Sequence, residues 1–241
     1  MNLLRFDSSA AWVGGVCALW TDRLRSNPRL KICLPTGLTP VPVYAEMVRR
    51  VRAGHASFAQ ASLFALDEFG GLDANEPGRT SHTLRRLLLG DVDLPPDAFH
   101  VLDADAPDVE RTCQRYDAAI GDGFDLVLLG VGTNGHLGMN EPATPPDSPT
   151  RRVDLHESTI QASARYFPTL AERDLPRWGL TVGLKQILAS REVWVLATGS
   201  AKAPIVRQAV GGPVTADVPA SLLQAHANCS WFVDGEAGGN W

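Results

Sequence analysis

Six short apolar runs recur along this chain, interleaved with stretches whose apolar residues follow a helical period. The runs are Leu30–Leu34, Leu63–Leu66, Phe99–Leu102, Leu126–Leu129, Val193–Ala197 and Ser230–Val233. The helical patterns cover Ser9–Arg25, Val41–Val51, Ser81–Leu89, Val109–Ile120, Thr181–Ala189 and Ala201–Val210, with a shorter one at Ala220–Ala225. Four or five consecutive apolar residues suit a strand buried on both faces, and strands alternating with helices build a mostly parallel sheet. The expected fold class is therefore α/β: a single-domain, three-layer, Rossmann-like sandwich over residues 1–241, with helices on both faces of the sheet. The Pro-rich stretch 142–149 and the turn at 94–96 read as loops inside that domain. The residues ahead of the first run read as one amphipathic helix.

Composition excludes several partners. The net charge of −5 gives no electrostatic reason to expect nucleic acid or an anionic membrane. Cys17, Cys33, Cys113 and Cys229 are scattered without a CxxC pair, which speaks against a zinc site or a disulfide framework and for reduced thiols in a cytoplasmic setting. No segment approaches the ~18 apolar residues that span a bilayer. No His, Asp or Glu spacing suggests a metal, and neither a Walker loop, a dinucleotide fingerprint nor a nucleophile elbow is present.

Sheets of this kind bind ligands beyond the carboxyl ends of their strands, so the residues after each run matter most. Leu34 leads into Thr36, Gly37, Leu38 and Thr39, with a helix expected after Pro40. A helix start with an unobstructed backbone holds an anion well, although Thr and Pro also favour a plain turn and N-cap. Thr198–Lys202 repeats the arrangement and puts Lys202 in a first helical turn. The helix dipole disfavours a lysine there unless it faces an anion. Asp67-Glu68 follows a third run, and two consecutive carboxylates on a strand point apart. One can face a site as a proton carrier while the other anchors a neighbouring loop. The fourth run opens on Gly130–Pro142, where His136 sits among glycines with Asn134 before it and Glu141 five residues on. Glycines let the backbone pass close to a ligand, and an imidazole there can exchange a proton with a ring oxygen, oriented by Glu141. Arg165 is a further candidate for bidentate phosphate contact.

These stretches resemble the glucosamine-6-phosphate deaminases, within the fold family shared with 6-phosphogluconolactonases. The resemblance is carried by Leu34–Pro40, Asp67–Leu72, Gly130–Pro142, Ser163–Phe167 and Gly199–Lys202, in the family's order. The run from Gly135 to Pro142 is specific to the deaminase side, and Phe69 stands where lactonases carry an arginine. The resemblance implies an isomerising hydrolase needing no cofactor and no metal. It converts glucosamine 6-phosphate and water into fructose 6-phosphate and ammonia. In that scheme Asp67 moves a proton between C2 and C1, and His136 opens the pyranose ring with Asn134 and Glu141 completing its relay. The turn Thr36, Gly37, Leu38 and Thr39, together with Glu68, Arg165 and Lys202, contacts the sugar phosphate, and a segment around 150–168 acts as a lid. Leu38 and Met139 depart from the family's usual glycine and aromatic, which leaves galactosamine 6-phosphate open as the substrate. A lactonase and a non-catalytic sugar-phosphate sensor are the other readings. Oligomeric state, monomer or small homo-oligomer, is open. Val153 falls where the allosteric relatives place an effector-binding lysine, so activation by N-acetylglucosamine 6-phosphate is not expected.

Overall fold

The computed structural model describes residues 1–239. The chain opens with strand β1 (Asn2–Phe6), helix α1 (Ser9–Ser26), β2 (Lys31–Leu34), α2 (Val41–Arg52), β3 (Ser62–Ala65), β4 (Asp67–Gly70) and α3 (Thr80–Leu87). It continues through β5 (Phe99–His100), α4 (Val109–Ile120), β6 (Leu126–Gly130), β7 (Arg151–Asp154) and α5 (Glu157–Ser163). The last part comprises β8 (Trp178–Thr181), α6 (Leu184–Leu188), β9 (Val193–Ala197), α7 (Ala203–Gly211), β10 (Cys229–Asp234) and α8 (Gly235–Gly238).

Seven strands form one parallel sheet in the order β1-β10-β9-β6-β2-β3-β5. Side chains alternate between its faces, as the pleat requires. Ile32, Leu34, Leu126, Leu128, Trp194 and Leu196 pack beneath α1, α2 and α3 against Trp12, Trp20, Tyr44 and Leu84. Their neighbours Cys33, Val127, Leu129, Val193 and Val195 face the other way, onto α4, α6 and α7 through Tyr116, Ile120, Ile187, Ile205 and Val206. Both faces being dry is why these strands are predominantly apolar in the sequence, with Lys31 at the start of β2 an exception. The α/β sandwich is thus as expected.

Two corrections concern strands. The residues before β2 are not one helix: Asn2–Phe6 pairs in parallel with β10 at the sheet edge before α1 begins. A second, antiparallel sheet, in the order β4-β8-β7, lies across the carboxyl edge of the first. Thr181 ends a strand of that sheet instead of opening a helix, and α6 starts at Leu184. The chain steps from the large sheet to the small one through Leu66 alone. The Leu66 N–H donates to Leu34 O in the first sheet, and its carbonyl accepts from Val182 N beside the second, each at 2.9 Å. At the far end of the chain, the expected helix 220–225 is a 3₁₀ segment, Pro219–Ala225.

Candidate active site

The strand order reverses between β2 and β6, because the chain winds outward from β2 in one direction and from β6 in the other. That crevice is where a sheet of this type leaves room for a ligand. A cavity of about 270 Å³ opens there, lined by the turns after β2 and β6, by Asp67, by α5 with the turn after it, and by Lys202.

The turn after β2 contributes Thr36, Gly37, Leu38 and Thr39. Helix α2 starts at Val41 without any side-chain cap, the condition under which a helix start can take an anion. Leu38 is 64% exposed, a large apolar side chain at the cavity mouth. Lys202 sits at the junction of a 3₁₀ turn (Ser200–Lys202) and α7, one residue short of the expected helical position. Its Nζ donates to Val131 O at 2.8 Å. Burial first, and then the nearby Arg165 guanidinium, lower its pKa. Two cations face one cavity, and an anion between them would relieve their repulsion. Arg165 lies in the 3₁₀ turn after α5, its Nε tied to Ala162 O at 2.7 Å.

Asp67 is the first residue of β4, buried to 9% exposure at the cavity wall. Burial pushes its carboxyl up to about 7. A hydrogen bond from Thr80 Oγ1, at 3.1 Å on Oδ1, works in the opposite direction, the neighbouring Glu68 adds to the rise, and His136 opposes it. Thr80 Oγ1 also lies 3.4 Å from Thr36 Oγ1. Glu68 does not line the cavity. The pleat turns it to the start of α3, where its oxygens accept from the N–H groups of Thr80 (2.8 Å), Ser81 (3.0 Å) and Phe69 (2.9 Å). An expected substrate contact is therefore a helix cap, which also suits the dipole at a helix start.

The turn after β6 bends back so that His136 packs on its own beginning. A Cβ at Gly132 would stand 2.3 Å from the His136 ring, so only glycine lets the ring take this place. Gly135 has φ +88°, and a side chain there would meet Val218 at 2.8 Å. His136 Nδ1 is buried without a hydrogen bond and stands 3.5 Å from Glu141 Oε2, an ion-pair distance. Asn134 braces both residues: its Nδ2 donates to Glu141 Oε2 (2.8 Å), and its Oδ1 accepts from His136 N (3.1 Å). The Thr159 hydroxyl from α5 donates to Glu141 Oε1. Burial alone would raise the Glu141 carboxyl, but the facing His136 ring, Thr159 and Asn134 outweigh it and hold the group at about 2. Glu141 is thus a fixed anion beside the imidazole.

The cavity lining takes in every expected residue except Glu68 and Glu141, and Glu141 stands behind it against His136, Asn134 and Thr159. Sequence reasoning missed Thr80 and Thr159, single hydroxyls far from the residues they hold, and neither sits in a motif that could have marked it. Phe69, Met139 and Phe167 pack together below α5. Among the described residues, no group of three or more His, Cys, Asp or Glu side chains is placed to hold a metal, and no helix is long and apolar enough to cross a membrane.

Known proteins match this chain in sequence and in fold. The profile of the family described as glucosamine-6-phosphate isomerases/6-phosphogluconolactonase matches residues 7–231. A glucosamine-6-phosphate deaminase from Bacillus pumilus is 37% identical over 240 residues, 99% of each chain. One from Rhodopirellula baltica is 40% identical, covering 95% of this chain and 90% of its own. A solved monomeric glucosamine-6-phosphate deaminase superposes with a TM-score of 0.93 at 32% identity, over 99% of both chains. A 6-phosphogluconolactonase from Trypanosoma brucei shares the fold at a TM-score of 0.75 and 20% identity, covering 98% of this chain and 97% of its own. The chain belongs to the glucosamine-6-phosphate isomerase/6-phosphogluconolactonase family, and within it to the glucosamine-6-phosphate deaminases.

Proposed function

We propose that this chain converts glucosamine 6-phosphate and water into fructose 6-phosphate and ammonia. The observation that carries the reading is one cavity shared by a carboxyl that ionises near pH 7 and an imidazole paired with a fixed anion. The Thr36–Thr39 turn, Lys202 and Arg165 hold the 6-phosphate. His136 moves the proton that opens the pyranose ring, with Glu141 balancing the charge on the imidazole. Ionised Asp67 removes the proton from C2 and returns it to C1, leaving a C2 imine. Water adds to that imine, and ammonia departs as the ketone forms. A base for the C2 proton must be ionised in the free enzyme yet basic enough to take the proton, and a carboxyl near 7 meets both demands. The segment 150–168 serves as the lid, since α5 and the turn after it wall the cavity. A cytoplasmic setting is part of the reading, supported by four buried, unpaired cysteines.

Ammonia and ketose phosphate are to be measured after incubation with glucosamine 6-phosphate, galactosamine 6-phosphate and 6-phosphogluconolactone. Ammonia from the gluco epimer is the expected result. Lactone hydrolysis without ammonia release would overturn it, and faster turnover of the galacto epimer would reassign the substrate. Asp67→Asn is expected to lower kcat by ~10²–10⁴-fold while the sugar phosphate still binds.

A further inference from the structure

Thr80 Oγ1 is fully buried between two oxygens, Asp67 Oδ1 at 3.1 Å and Thr36 Oγ1 at 3.4 Å. A threonine hydroxyl has one proton to give and two lone pairs. Ionised Asp67 can only accept, so the Thr80 proton points to it. The contact between the two threonines then has one polarity left: Thr36 donates and Thr80 accepts. We propose that Thr80 is a positioning residue for the base, and that with Thr36 it forms a two-hydroxyl chain running from the phosphate-binding turn to Asp67. This rests on the reading of Asp67 as the base and extends it to what orients and tunes that base.

The chain has a definite electrical sense. A hydrogen bond to a carboxylate is about twice as strong as one between neutral groups, so Thr80 favours ionised Asp67. Thr36, by donating onto Thr80 Oγ1, polarises the Thr80 O–H and strengthens that bond. Once Asp67 has taken a proton the chain can reverse: Asp67 donates to Thr80, and Thr80 to Thr36. In both protonation states of the base Oδ1 keeps its hydrogen bond to Thr80.

The other groups facing Asp67 cannot do this. Cys33 on β2, Tyr44 on α2 and Tyr116 on α4 have burial-raised pKa values and stay uncharged where Asp67 titrates. The Tyr166 phenol, after α5, is likewise raised by burial. Glu68 is committed to three N–H groups at α3, and His136 acts through its charge, as no hydrogen bond joins it to Asp67.

The test follows the carboxyl resonance of Asp67 by NMR in the free protein carrying isotope-labelled aspartate, assigned by its loss in Asp67→Asn. Thr80→Val keeps the shape and removes the hydroxyl; it is expected to raise the Asp67 pKa by about one unit, with the acid limb of kcat/KM moving alike. Thr80→Ser should restore the wild-type titration. Thr36→Val should raise the pKa by less than Thr80→Val, and by nothing further in the Thr80→Val background. Should Thr80→Val fail to give a native circular-dichroism spectrum, Thr80→Ala takes its place. Titration of Asp67 unchanged by loss of the Thr80 hydroxyl would overturn the proposal, as would a Thr36→Val shift equally large with and without that hydroxyl. The two readings fail separately. An enzyme that releases no ammonia but whose Asp67 responds as stated sinks the reaction and keeps the chain. Normal turnover with an unresponsive Asp67 does the reverse.

Discussion

A carboxyl held near pH 7 inside a folded protein weakens that protein as the pH rises. Asp67 ionises near 3.8 in the unfolded chain and near 7 in the fold, so between those values the unfolded state sheds a proton that the native state keeps. Stability is greatest below the unfolded value and is lost as the pH climbs through the folded one. The full loss is on the order of 4 kcal/mol for this shift. Asp67→Asn is neutral throughout, so its Tm should exceed that of the wild type at about pH 8 and by much less at about pH 5. Thermal melts at the two pH values check this. Glu141 behaves in the opposite sense: its lowered pKa contributes stability above 4.5 that disappears as the pH falls toward 2. His136→Ala is expected to cost ~10²–10⁴-fold in kcat, and Glu141→Gln less, because the imidazole remains. Steady-state kinetics on the two variants ranks them. Asp67 and His136 were candidates from the sequence because they stand in the stretches that follow apolar runs, and Glu141 because it lies five residues beyond that imidazole. Thr80 was not, since nothing local marks a hydroxyl that acts across 13 positions.

At the scale of elements, Glu68 and α3 form one unit. Its carboxylate takes three N–H groups, and Arg79, itself buried, stands 4.0 Å away and is anchored by Asp105 at 2.6 Å. Glu68→Ala leaves those donors unmet, a cost of about 1–3 kcal/mol. The Tm should fall by roughly 2–4 °C for each kcal/mol lost. The residue pattern alone left open which of the two adjacent acids would face the cavity, the resemblance pointed to Asp67, and the step from one sheet to the other puts Asp67 there. The large sheet was readable because burial on both faces demands predominantly apolar residues. Strands β4, β7 and β8 were not: Asp67–Gly70 and Arg151–Asp154 hold polar residues and glycine with no apolar run. They are strands because each is paired by a neighbour, a tertiary effect that overrides local preference. Edge strand β1, with Asn2 and Arg5 exposed, carries the same weak signal.

For the whole molecule, the cavity is a meeting of strand ends, and no single element holds the site. Four neighbouring strands of the large sheet, β3, β2, β6 and β9, deliver their following residues to one crevice. A ligand that binds only this assembled state stabilises all of it. At a hundredfold excess over Kd, glucose 6-phosphate should add ~2.7 kcal/mol, roughly 5–10 °C in Tm. Lys202→Met should remove most of that rise in a thermal-shift assay. The same ligand should slow hydrogen exchange in 157–166, where α5 and its following turn wall the cavity, more than in β9.

Leu66 makes the position of the base depend on counting. Because side chains along a strand project to alternate sides, deleting that one residue would shift its successors by one place: the glutamate would take the position that faces the crevice, the aspartate the place of Leu66, and the start of α3 would be left facing Phe69 instead of a carboxylate. A longer acid would then stand where the shorter one is held, beyond the reach of its threonine. Length changes of a single position at this link are for that reason disruptive out of proportion to their size, whereas the outer loops of the same molecule can lengthen at little expense.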